Sequence, residues 1–315
     1  MSNANYPQKL IVICGQTATG KSDLAVNLAK RFNGEIISAD SRQVYLGLNL
    51  GSGKITKTQM RSIPHYLLDV ASPSRRFSAA QYKKLAQVAI KKIRAKNKLP
   101  IICGGTGFYI QALVDDLNLP QVKPNLKLRA QLEKKSTVAL FSILKKLDPR
   151  RAATIDRHNP RRLVRAIEIV KTTGRPVPLL PSVIPGSTRN LGPGSRIKCG
   201  MTNILFLGLK KPPGILAQRI KIRLQKRLKH GMIAEVKRLR AQGLSWKKLE
   251  DFGLEYRWIA KYLQNKISYQ EMAARLQKDI EHYAKRQMTW FGKDKRIYWI
   301  KNERQAMSRV KGLLR

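Results

Sequence analysis

Short strand-like runs alternate with amphipathic stretches in the first third of the chain. The runs Leu10–Cys14, Glu35–Ala39 and Leu99–Gly104 predict strands, and helical spacing of apolar residues predicts helices over about Gly20–Phe32 and Ser78–Lys96. Strands that alternate with helices favour a parallel sheet covered by helices on both faces, with right-handed crossovers. Ligands of such sheets bind at the carboxyl ends of the strands, so we expect the residues that follow these strands to converge on one cleft.

From about residue 117 to residue 200 the pattern predicts helices without strands. Asn159 and Pro160 are typical of a helix cap and a first helical position, and the prolines and glycines of residues 174–200 predict a long mobile loop. Asn203–Leu209 predicts a further strand. The helices predicted after it are Ile215–Lys229, Met232–Gln242, Tyr256–Leu263 and Ser268–Phe291. We therefore expect a core of residues 1–116 and 201–315, interrupted by a helical insertion of residues 117–200.

A complete phosphate-binding motif, G-x-x-x-x-G-K-[ST], lies between the first strand and the first helix. Its residues are Gly15, Gln16, Thr17, Ala18, Thr19, Gly20, Lys21 and Ser22. In this setting the backbone N–H groups of the loop cradle phosphate oxygens, Lys21 reaches the same oxygens and the Ser22 hydroxyl ligates Mg²⁺. A glycine-rich turn without a ligand is the alternative, although such a turn does not need Lys followed by Ser. The expected fold class is α/β, with a P-loop NTPase-like parallel sheet core and a helical insertion domain.

The charge of the chain indicates a polyanionic partner. In 315 residues, 63 Lys and Arg stand against 19 Asp and Glu, a net charge of +44. Lys and Arg are almost never fully buried unpaired, so much of this charge lies on the surface, where it would bind nucleic acid by releasing counterions. A membrane surface is the weaker alternative, because the chain has no lipidation signal and no run of roughly 18 apolar residues. We expect a cytoplasmic protein without zinc or disulfides, since Cys14, Cys103 and Cys199 show no CxxC spacing.

Two polar side chains follow the second and third predicted strands. Asp40 comes after the second strand, where a carboxylate beside a phosphate loop can hold a proton, a metal-bound water or a donor N–H; a helix cap or a turn aspartate is the alternative. Thr106 follows Gly104 and Gly105, and its hydroxyl can donate to a leaving-group oxygen or serve as an ordinary N-cap. The third strand lacks the acidic residue expected there in a motor-type ATPase. This absence favours a transferase in which the phosphates are donor or leaving group.

Together these residues resemble the isopentenyl transferases that modify transfer RNA, the tRNA dimethylallyltransferase family. The matching segments span nearly the whole chain, in family order: Gly15–Ser22, Ile36–Tyr45, Ile63–His65, Gly104–Tyr109, Asn159–Glu168 and Tyr283–Phe291. The resemblance implies transfer of a dimethylallyl group from its diphosphate to N6 of the adenine just 3′ of the anticodon, assisted by Mg²⁺, with pyrophosphate leaving. It also implies that the adenine leaves the stack of the anticodon loop to reach the cleft.

The resemblance implies roles for individual residues. Asp40 is expected to accept an N6–H bond, orient the amine and take its proton, while Lys21 and Thr106 act on the departing pyrophosphate. Arg219 and Arg223 match family arginines and are expected to clamp the diphosphate; a solvated helix face is the alternative. The tRNA contacts implied by the family are Asp40, Ser41, Arg42, Gln43, Arg129, Arg161, Arg162, Leu163, Val164, Arg165, Lys285 and Arg286.

Two positions depart from the family pattern, and other functions stay open at this point. The segment Gly253–Arg257 reads Gly-Leu-Glu-Tyr-Arg instead of Gly-Tyr followed by Arg or Lys, and Gln16 stands where the family often has Pro. The alternatives are a small-molecule kinase of the P-loop class, a prenyltransferase of free adenine nucleotides and a non-catalytic RNA-binding protein. The last leaves Lys21, Ser22 and Asp40 unexplained, whereas the insertion and the charge favour RNA. We expect a monomer that acts on the anticodon stem-loop of tRNA.

Overall fold

The structure is a computed structural model that describes residues 9–120, 122–178 and 203–315. These residues form two compact units, and the chain passes from the first unit to the second between Asp116 and Leu117. The first unit contains residues 9–116 and 203–315, and the second contains residues 117–120 and 122–178. Within these ranges, no helix is long and apolar enough to cross a bilayer.

The first unit is built on a six-stranded parallel sheet with the order β3-β2-β4-β1-β5-β6. Its strands are β1 (Lys9–Gly15), β2 (Gly34–Ser38), β3 (His65–Tyr66), β4 (Leu99–Cys103), β5 (Asn203–Leu209) and β6 (Ile297–Ile300). β1 is central, with Ile11 opposite Ile101 of β4 on one side and Leu205 of β5 on the other. The carboxyl ends of β1, β2 and β4 therefore meet at one edge of the sheet, which confirms the predicted α/β class.

The helices of the described residues are α1 (Lys21–Arg31), α2 (Lys57–Met60), α3 (Ala79–Ala95), α4 (Gly107–Val114), α5 (Leu126–Glu133), α6 (Thr137–Leu147), α7 (Pro149–Thr154), α8 (Pro160–Thr173), α9 (Pro213–Lys229), α10 (Met232–Ala241), α11 (Trp246–Phe252), α12 (Leu254–Leu263), α13 (Tyr269–Phe291) and α14 (Glu303–Leu314). The six helices for which the sequence pattern gave bounds, α1, α3, α9, α10, α12 and α13, agree with the structure to within about two residues at each end, the usual uncertainty of helix boundaries. The pattern gave no bounds for the others. The sequence pattern missed β3 and β6, because strands of two and four residues are too short to show a period.

The sheet is buried on both faces. Leu10, Val12 and Cys14 of β1 pack on one face with α3 and α4, whereas Ile11 and Ile13 pack on the other with α1 and α14. Because both faces are covered, β1 is apolar at every position from 10 to 14 and shows no alternation. Burial raises the pKa of the Cys14 thiol to about 12, so this cysteine stays protonated and packs as a small apolar side chain.

A cluster of helices, α9 to α13, completes the first unit. Ile220, Val236, Phe252, Tyr256 and Ile280 come from five different helices and share one apolar core. The longest of these helices, α13, also contacts β1 and α4. It therefore joins the helical cluster to the sheet, and its polar side chains can reach the carboxyl edge of the strands.

The second unit consists of α5 to α8 around an apolar core that includes Leu132, Leu144, Leu163 and Ile167. Residues 117–120 and 122–178 contain no strand, as the pattern predicted. Asn159 caps α8 by accepting the N–H of Arg162 at 3.2 Å, and a proline follows at the first helical position. The loop predicted over residues 174–200 falls mostly on residues 179–202, which lie outside the described residues.

Candidate active site

The phosphate-binding loop joins β1 to α1 in a conformation that needs its two glycines. Gly15 has a φ of +132°, and a Cβ atom there would lie 2.1 Å from the carbonyl oxygen of Leu209 in β5. Gly20 caps α1 with a φ of 98°. Between them Ala18 adopts a φ of 59°, which is uncommon for a residue with a Cβ. The loop therefore leads directly into a helix N-terminus, where unpaired backbone N–H groups favour an anion.

The Lys21 side chain folds back over the loop. Its ammonium group donates to the carbonyl oxygen of Gln16, and the Thr19 hydroxyl donates to the same oxygen at 2.8 Å. Burial lowers the pKa of Lys21 to about 8, and the nearby Arg223 contributes in the same direction. A bound anion would favour the charged form of this lysine again.

Asp40 follows β2 and closes a turn with one carboxylate oxygen. Its Oδ1 accepts the backbone N–H of Arg42 at 2.8 Å and that of Gln43 at 3.3 Å, which is the arrangement of a turn aspartate. Its Oδ2 accepts no hydrogen bond from the described residues. The turn and a role as proton acceptor are therefore compatible, because each uses a different oxygen.

Thr106 occupies the N-cap position of α4, but its side chain makes no capping hydrogen bond. Instead the hydroxyl oxygen accepts the backbone N–H of Ser41 at 3.0 Å, which ties β4 to the turn after β2. Burial raises the pKa of Tyr283 above its usual value, and the Thr106 side chain acts on this pKa in the opposite direction. From the sequence, Thr106 was either a donor to a leaving-group oxygen or an ordinary N-cap. The structure shows no cap and places its hydroxyl on Ser41, the residue next to Asp40.

Tyr283 and Gln287 lie one helical turn apart on α13. The sequence placed them in a segment that matches the family but did not predict that they lie at the phosphate site. Gln287 is 5% exposed; it accepts the backbone N–H of Thr17 at 2.7 Å and donates to the carbonyl oxygen of Gly105 at 2.9 Å. The available signal was a glutamine in register with the apolar stripe of an amphipathic helix. The sequence predicted that all the backbone N–H groups of the loop bind phosphate. In the structure the N–H of Thr17 instead donates to Gln287, so this prediction needs correction at Thr17.

Two arginines of α9 reach the same region. Arg219 donates from Nε to the carbonyl oxygen of Ala18 at 2.8 Å, and Arg223 donates from Nη2 to the carbonyl oxygen of Gly53 at 3.1 Å. Both line the cavity described below, so a purely solvated helix face does not describe them. Burial and the neighbouring Arg227 lower the pKa of Arg223. The site thus holds an excess of positive charge that an anion would balance.

A buried carboxylate shapes the loop of residues 49–53, whose carbonyl oxygens accept hydrogen bonds from Arg223 and Arg227 of α9. Glu235 of α10 accepts the backbone N–H groups of Asn49, Leu50 and Gly51 at 3.0, 2.7 and 3.0 Å, and the Tyr256 hydroxyl at 3.0 Å. Tyr256 belongs to the segment that departs from the family pattern. The structure gives this segment a supporting role, because its tyrosine helps to hold the carboxylate that orders the loop.

The rest of that segment also packs inside the first unit. Glu255 pairs with Arg227 at 2.9 Å, and Arg227 in turn donates to the carbonyl oxygen of Leu50 at 3.1 Å. Arg257 donates to the carbonyl oxygen of Glu250 at 3.4 Å. These contacts stabilise the same loop from the side of α11 and α12.

A cavity of about 490 Å³ lies between the phosphate-binding loop, the turn after β2, α9 and α13. Its volume is within the usual range for small-molecule sites. The predicted residues that line it are Thr17, Ala18, Thr19, Gly20, Lys21, Ser22, Asp40, Gln43, Arg219 and Arg223. Unpredicted lining residues include Lys226, Tyr283 and Gln287. Gly15, Gln16 and Thr106 do not line it: the first two support the loop, with Gln16 Oε1 accepting the N–H of Lys211 at 3.4 Å. The geometry therefore brings the lysine, the two arginines and the Asp40 carboxylate together.

The predicted tRNA contacts of the first unit lie on two elements. The turn after β2 carries Ser41, Arg42 and Gln43, which are partly exposed, and α13 carries Lys285 and Arg286, which are exposed. Each set adjoins a lining residue of the cavity on its own element. An RNA bound to these residues would lie next to the cavity.

In the second unit, a buried glutamate engages two of the predicted tRNA-binding arginines. Glu168 accepts two hydrogen bonds from Arg129, at 2.8 and 2.7 Å, one from Arg165 at 2.6 Å and one from the backbone N–H of Asn125 at 2.7 Å. Burial alone would raise the pKa of Glu168, but the two arginines and the N–H group lower it to about 2. Part of the charge of Arg129 and Arg165 is therefore balanced inside the unit.

The other predicted contacts of α8 divide into exposed and buried residues. Arg161 and Arg162 are exposed, and the nearest carboxylate to Arg162 is that of Asp156 at 4.0 Å. Leu163 and Val164 are 0% and 6% exposed and pack in the core of the unit. Only the two arginines of this group offer side-chain surface to an RNA.

The oxygen donors around Ser22 suit a hard divalent cation. Ser22 is exposed at the start of α1, and the carboxylates of Asp23 and Asp40 line the same cavity. No group of three or more His, Cys, Asp or Glu side chains within the described ranges could hold a metal ion by itself. Mg²⁺ usually binds through one or two protein oxygens, water and substrate phosphates. These residues therefore fit an ion that binds together with a diphosphate.

The strand order, the loop between β1 and α1 and the cavity at the strand ends define a P-loop protein that binds a phosphorylated molecule at the carboxyl edge of its sheet. The family model IPP transferase matches residues 43–294. The chain is 36% identical over 307 residues to the tRNA dimethylallyltransferase of Carboxydothermus hydrogenoformans, covering 96% of this chain and 95% of that protein. It is 38% identical over 317 residues to tRNA dimethylallyltransferase 1 of Syntrophus aciditrophicus, covering 98% and 99%. The chain belongs to the IPP transferase family.

Solved structures support this assignment. The full-length tRNA isopentenylpyrophosphate transferase of Bacillus halodurans superposes with a TM-score of 0.69 at 33% identity, covering 98% of this chain and 97% of that one. A eukaryotic dimethylallyltransferase described as acting on tRNA superposes with a TM-score of 0.73 at 27% identity, covering 93% of this chain and 73% of that one. The likeness extends over nearly the whole of this chain.

Proposed function

We propose that this chain transfers a dimethylallyl group from dimethylallyl diphosphate to N6 of the adenine just 3′ of the anticodon in tRNA, and releases pyrophosphate. The observation that carries the proposal is the cavity that combines an anion-binding loop and two arginines with the Asp40 carboxylate. A diphosphate donor needs the anion-binding loop and the arginines, and an amine acceptor needs the carboxylate. The names of the full-length relatives support this reaction over other phosphate chemistry.

The leaving group is bound by the loop and by α9. The backbone N–H groups at the start of α1 and the Lys21 ammonium are placed to bind phosphate oxygens. Arg219 and Arg223 each use a guanidinium N–H on a carbonyl oxygen and keep others for the diphosphate. When the bond between C1 of the dimethylallyl group and oxygen breaks, its electron pair goes to pyrophosphate, and these groups stabilise the charge. Mg²⁺ held at Ser22 would add neutralisation of that charge.

The acceptor is oriented by Asp40. The lone pair of the adenine amine is delocalised into the ring, so the amine is a poor nucleophile. Asp40 Oδ2, which closes no turn, accepts an N6–H bond and takes that proton as the bond between N6 and C1 forms. The products are the N6-dimethylallyl adenine, pyrophosphate and one proton.

A polyanionic acceptor is supported by charge and exposure. The net charge of +44 would attract tRNA by counterion release. Lys285 and Arg286 beside the cavity, and Arg161 and Arg162 on α8, present exposed cations for phosphates. We expect the adenine to leave the stack of the anticodon loop to reach Asp40.

The test uses dimethylallyl diphosphate labelled in the dimethylallyl group, Mg²⁺ and three acceptors in parallel: tRNA transcript, the same transcript with guanine at the target position, and AMP. Label in the first RNA alone is the expected result. Label in AMP at a comparable rate would favour an enzyme of free nucleotides. A fourth reaction with ATP labelled in its γ-phosphate tests the kinase alternative, and phosphate transfer without prenylation would contradict the proposal.

A further inference from the structure

Gln287 joins two elements that the proposed reaction must keep in register. It lies on α13, is 5% exposed and follows the apolar stripe of that helix. Its amide oxygen accepts the N–H of Thr17 in the phosphate loop at 2.7 Å, and its amide nitrogen donates to the carbonyl oxygen of Gly105 at 2.9 Å. One side chain thereby spans from the loop after β1 to the turn after β4.

The two contacts are specific for an amide and for a glycine opposite it. A Cβ atom on residue 105 would lie 2.1 Å from the Gln287 amide nitrogen, so the side chain occupies the space that Gly105 leaves open. Only an amide or a neutral carboxylic acid of this length offers one acceptor and one donor together. An ionised carboxylate would direct both oxygens at an N–H group and a carbonyl oxygen, and the second contact would be repulsive.

The residue after Gly105 is Thr106, and the loop that holds Thr17 also holds Lys21. We propose that Gln287 is a positioning residue that sets the separation between the phosphate loop and the turn after β4. A diphosphate bound by the loop beside Gly104 and Gly105, which line the cavity, then presents its bridging oxygen to the hydroxyl of Thr106, the next residue along the chain. This proposal rests on the proposed function. It also assigns the Thr17 N–H to the protein's own scaffold rather than to the phosphates.

The position of Gln287 on α13 supports the assignment. Tyr283, one turn earlier on the same helix, lines the cavity together with Gln287. The same helix therefore contacts the loop through Thr17 and the turn after β4 through Gly105. Because α13 belongs to the helical cluster as well as to the sheet, the separation is held from outside the loop.

The test compares Q287M and Q287E with the wild-type chain. Methionine keeps the length and packing of glutamine without either hydrogen bond, and glutamate keeps both bonds only while it is protonated. Single-turnover transfer to tRNA at saturating dimethylallyl diphosphate should fall by about 10-fold to 100-fold in Q287M, the scale of a misplaced reacting group. The affinity for inorganic pyrophosphate, measured by calorimetry, should stay within about threefold, because the remaining loop N–H groups, Lys21 and the arginines still bind it.

Q287E separates positioning from simple loss of structure. Burial favours the neutral acid, whereas the cations of the cavity favour the ionised one. Only the neutral acid keeps both bonds, so the ratio of the Q287E transfer rate to that of the wild type should rise, and never fall, as the pH is lowered from about 8.5 to about 6, whereas the ratio for Q287M should stay flat. The charged groups that line the same cavity are Lys21, Asp23, Asp40, Arg219, Arg223 and Lys226. They are common to all three proteins, so their own titration cancels in the ratio, and only their effect on the introduced carboxyl is left in it.

The matched control is Q270M, which makes the same exchange at an exposed position at the start of α13. Transfer by Q287M within about threefold of Q270M, or a Q287E ratio that falls as the pH is lowered, would overturn the proposal. A loss that matches the fraction of unfolded protein, seen by circular dichroism, would do so as well. If the wild type and Q270M transfer no label, the proposed function itself fails, which is a different outcome.

Discussion

The hydroxyl oxygen of Thr106 accepts the backbone N–H of Ser41 at 3.0 Å, across 65 residues of sequence. This bond ties the start of α4 to the turn after β2, and Ser41 directly follows Asp40. The donor-side threonine and the acceptor-side carboxylate of the proposed reaction are therefore parts of one hydrogen-bonded edge of the sheet. A change in either residue is expected to act on the chemical step rather than on the binding of RNA.

Replacing Thr106 tests its action on the leaving group. Thr106→Ala should slow single-turnover transfer by roughly 10²-fold to 10³-fold, because a hydroxyl that stabilises developing charge is lost along with the contact to Ser41. Thr106→Ser keeps the hydroxyl and should recover most of the rate. Equal losses in the two variants would assign Thr106 to packing alone.

Replacing Asp40 tests the proton acceptor. Asparagine can still accept the N–H groups of Arg42 and Gln43 through its Oδ1, so Asp40→Asn should keep the turn while it removes the base. We expect a loss of about 10²-fold or more in single-turnover transfer and little change in the Kd for tRNA. Asp251→Asn, at an exposed position of α11, is the control for loss of one negative charge. Near-normal turnover by the Asp40 variant would remove it from this role.

The lowered pKa of Lys21, about 8, predicts a pH dependence of diphosphate binding. Below this pH the free protein carries the ammonium charge and attracts the anion; above it the lysine is neutral and that attraction is lost. Affinity for inorganic pyrophosphate should therefore weaken by about tenfold between about pH 6.5 and about pH 9.5, the scale of a hydrogen bond to a charged group. The Lys21→Arg variant stays charged throughout this range. The ratio of the wild-type affinity to the affinity of this variant, taken at each pH, is therefore free of the titration of pyrophosphate itself. A ratio that does not change across this range would contradict the assignment.

Removal of divalent cations tests the role of Ser22. Chelation with EDTA should abolish transfer, and added Mg²⁺ should restore it. Ser22→Ala should raise the Mg²⁺ concentration needed for half-maximal transfer, since one oxygen ligand is lost. Thr is the natural alternative at this motif position, so Ser22→Thr is the matched variant and should behave as the wild type. Full activity in EDTA would exclude Ser22 as a metal ligand for this reaction.

The exposed arginines of α8 predict a measurable share of the RNA contacts. Replacing both Arg161 and Arg162 with Gln should reduce the slope of log K for tRNA against log salt by about 1.5 to 2 units, if each neutralises one phosphate. Affinity for dimethylallyl diphosphate should not change. The control is the pair Lys145→Gln and Lys146→Gln, an equal loss of charge on exposed positions of α6. Equal salt slopes for the two double variants would mean that Arg161 and Arg162 contribute no more to tRNA binding than other surface charges.

Arg165 is unsuitable for that experiment, although it follows the same pair on α8. Its guanidinium bonds to buried Glu168 at 2.6 Å, so Arg165→Gln also leaves a buried carboxylate with one arginine fewer. A weaker tRNA affinity in this variant would mix lost charge with lost stability of the second unit. Only tertiary structure distinguishes it from its neighbours Arg161 and Arg162.

Some features of this protein follow from the sequence by itself. Local sequence decides the strands β1, β2 and β4, the long helices, the loop from Gly15 to Ser22 and the cap at Asn159. The signals are apolar runs, helical spacing, glycine positions and a capping side chain. These are properties of a few consecutive residues, so the chain states them directly. The order of elements then implied a parallel sheet and a shared edge for Asp40 and the loop.

Other features depend on residues that are distant in sequence. Nothing near Gln287 indicates that its amide meets Thr17 and Gly105, and nothing near Glu168 indicates which arginines it takes out of the RNA-binding surface. The same is true of Glu235, whose carboxylate orders a loop 184 to 186 residues away. A hydrogen bond is a short-range contact between two atoms, and its partner is decided by how the helices pack on the sheet. The sequence by itself therefore determined the elements and the chemical groups at the strand ends, and the packing of α9, α10 and α13 decided which of those groups are free to meet a substrate.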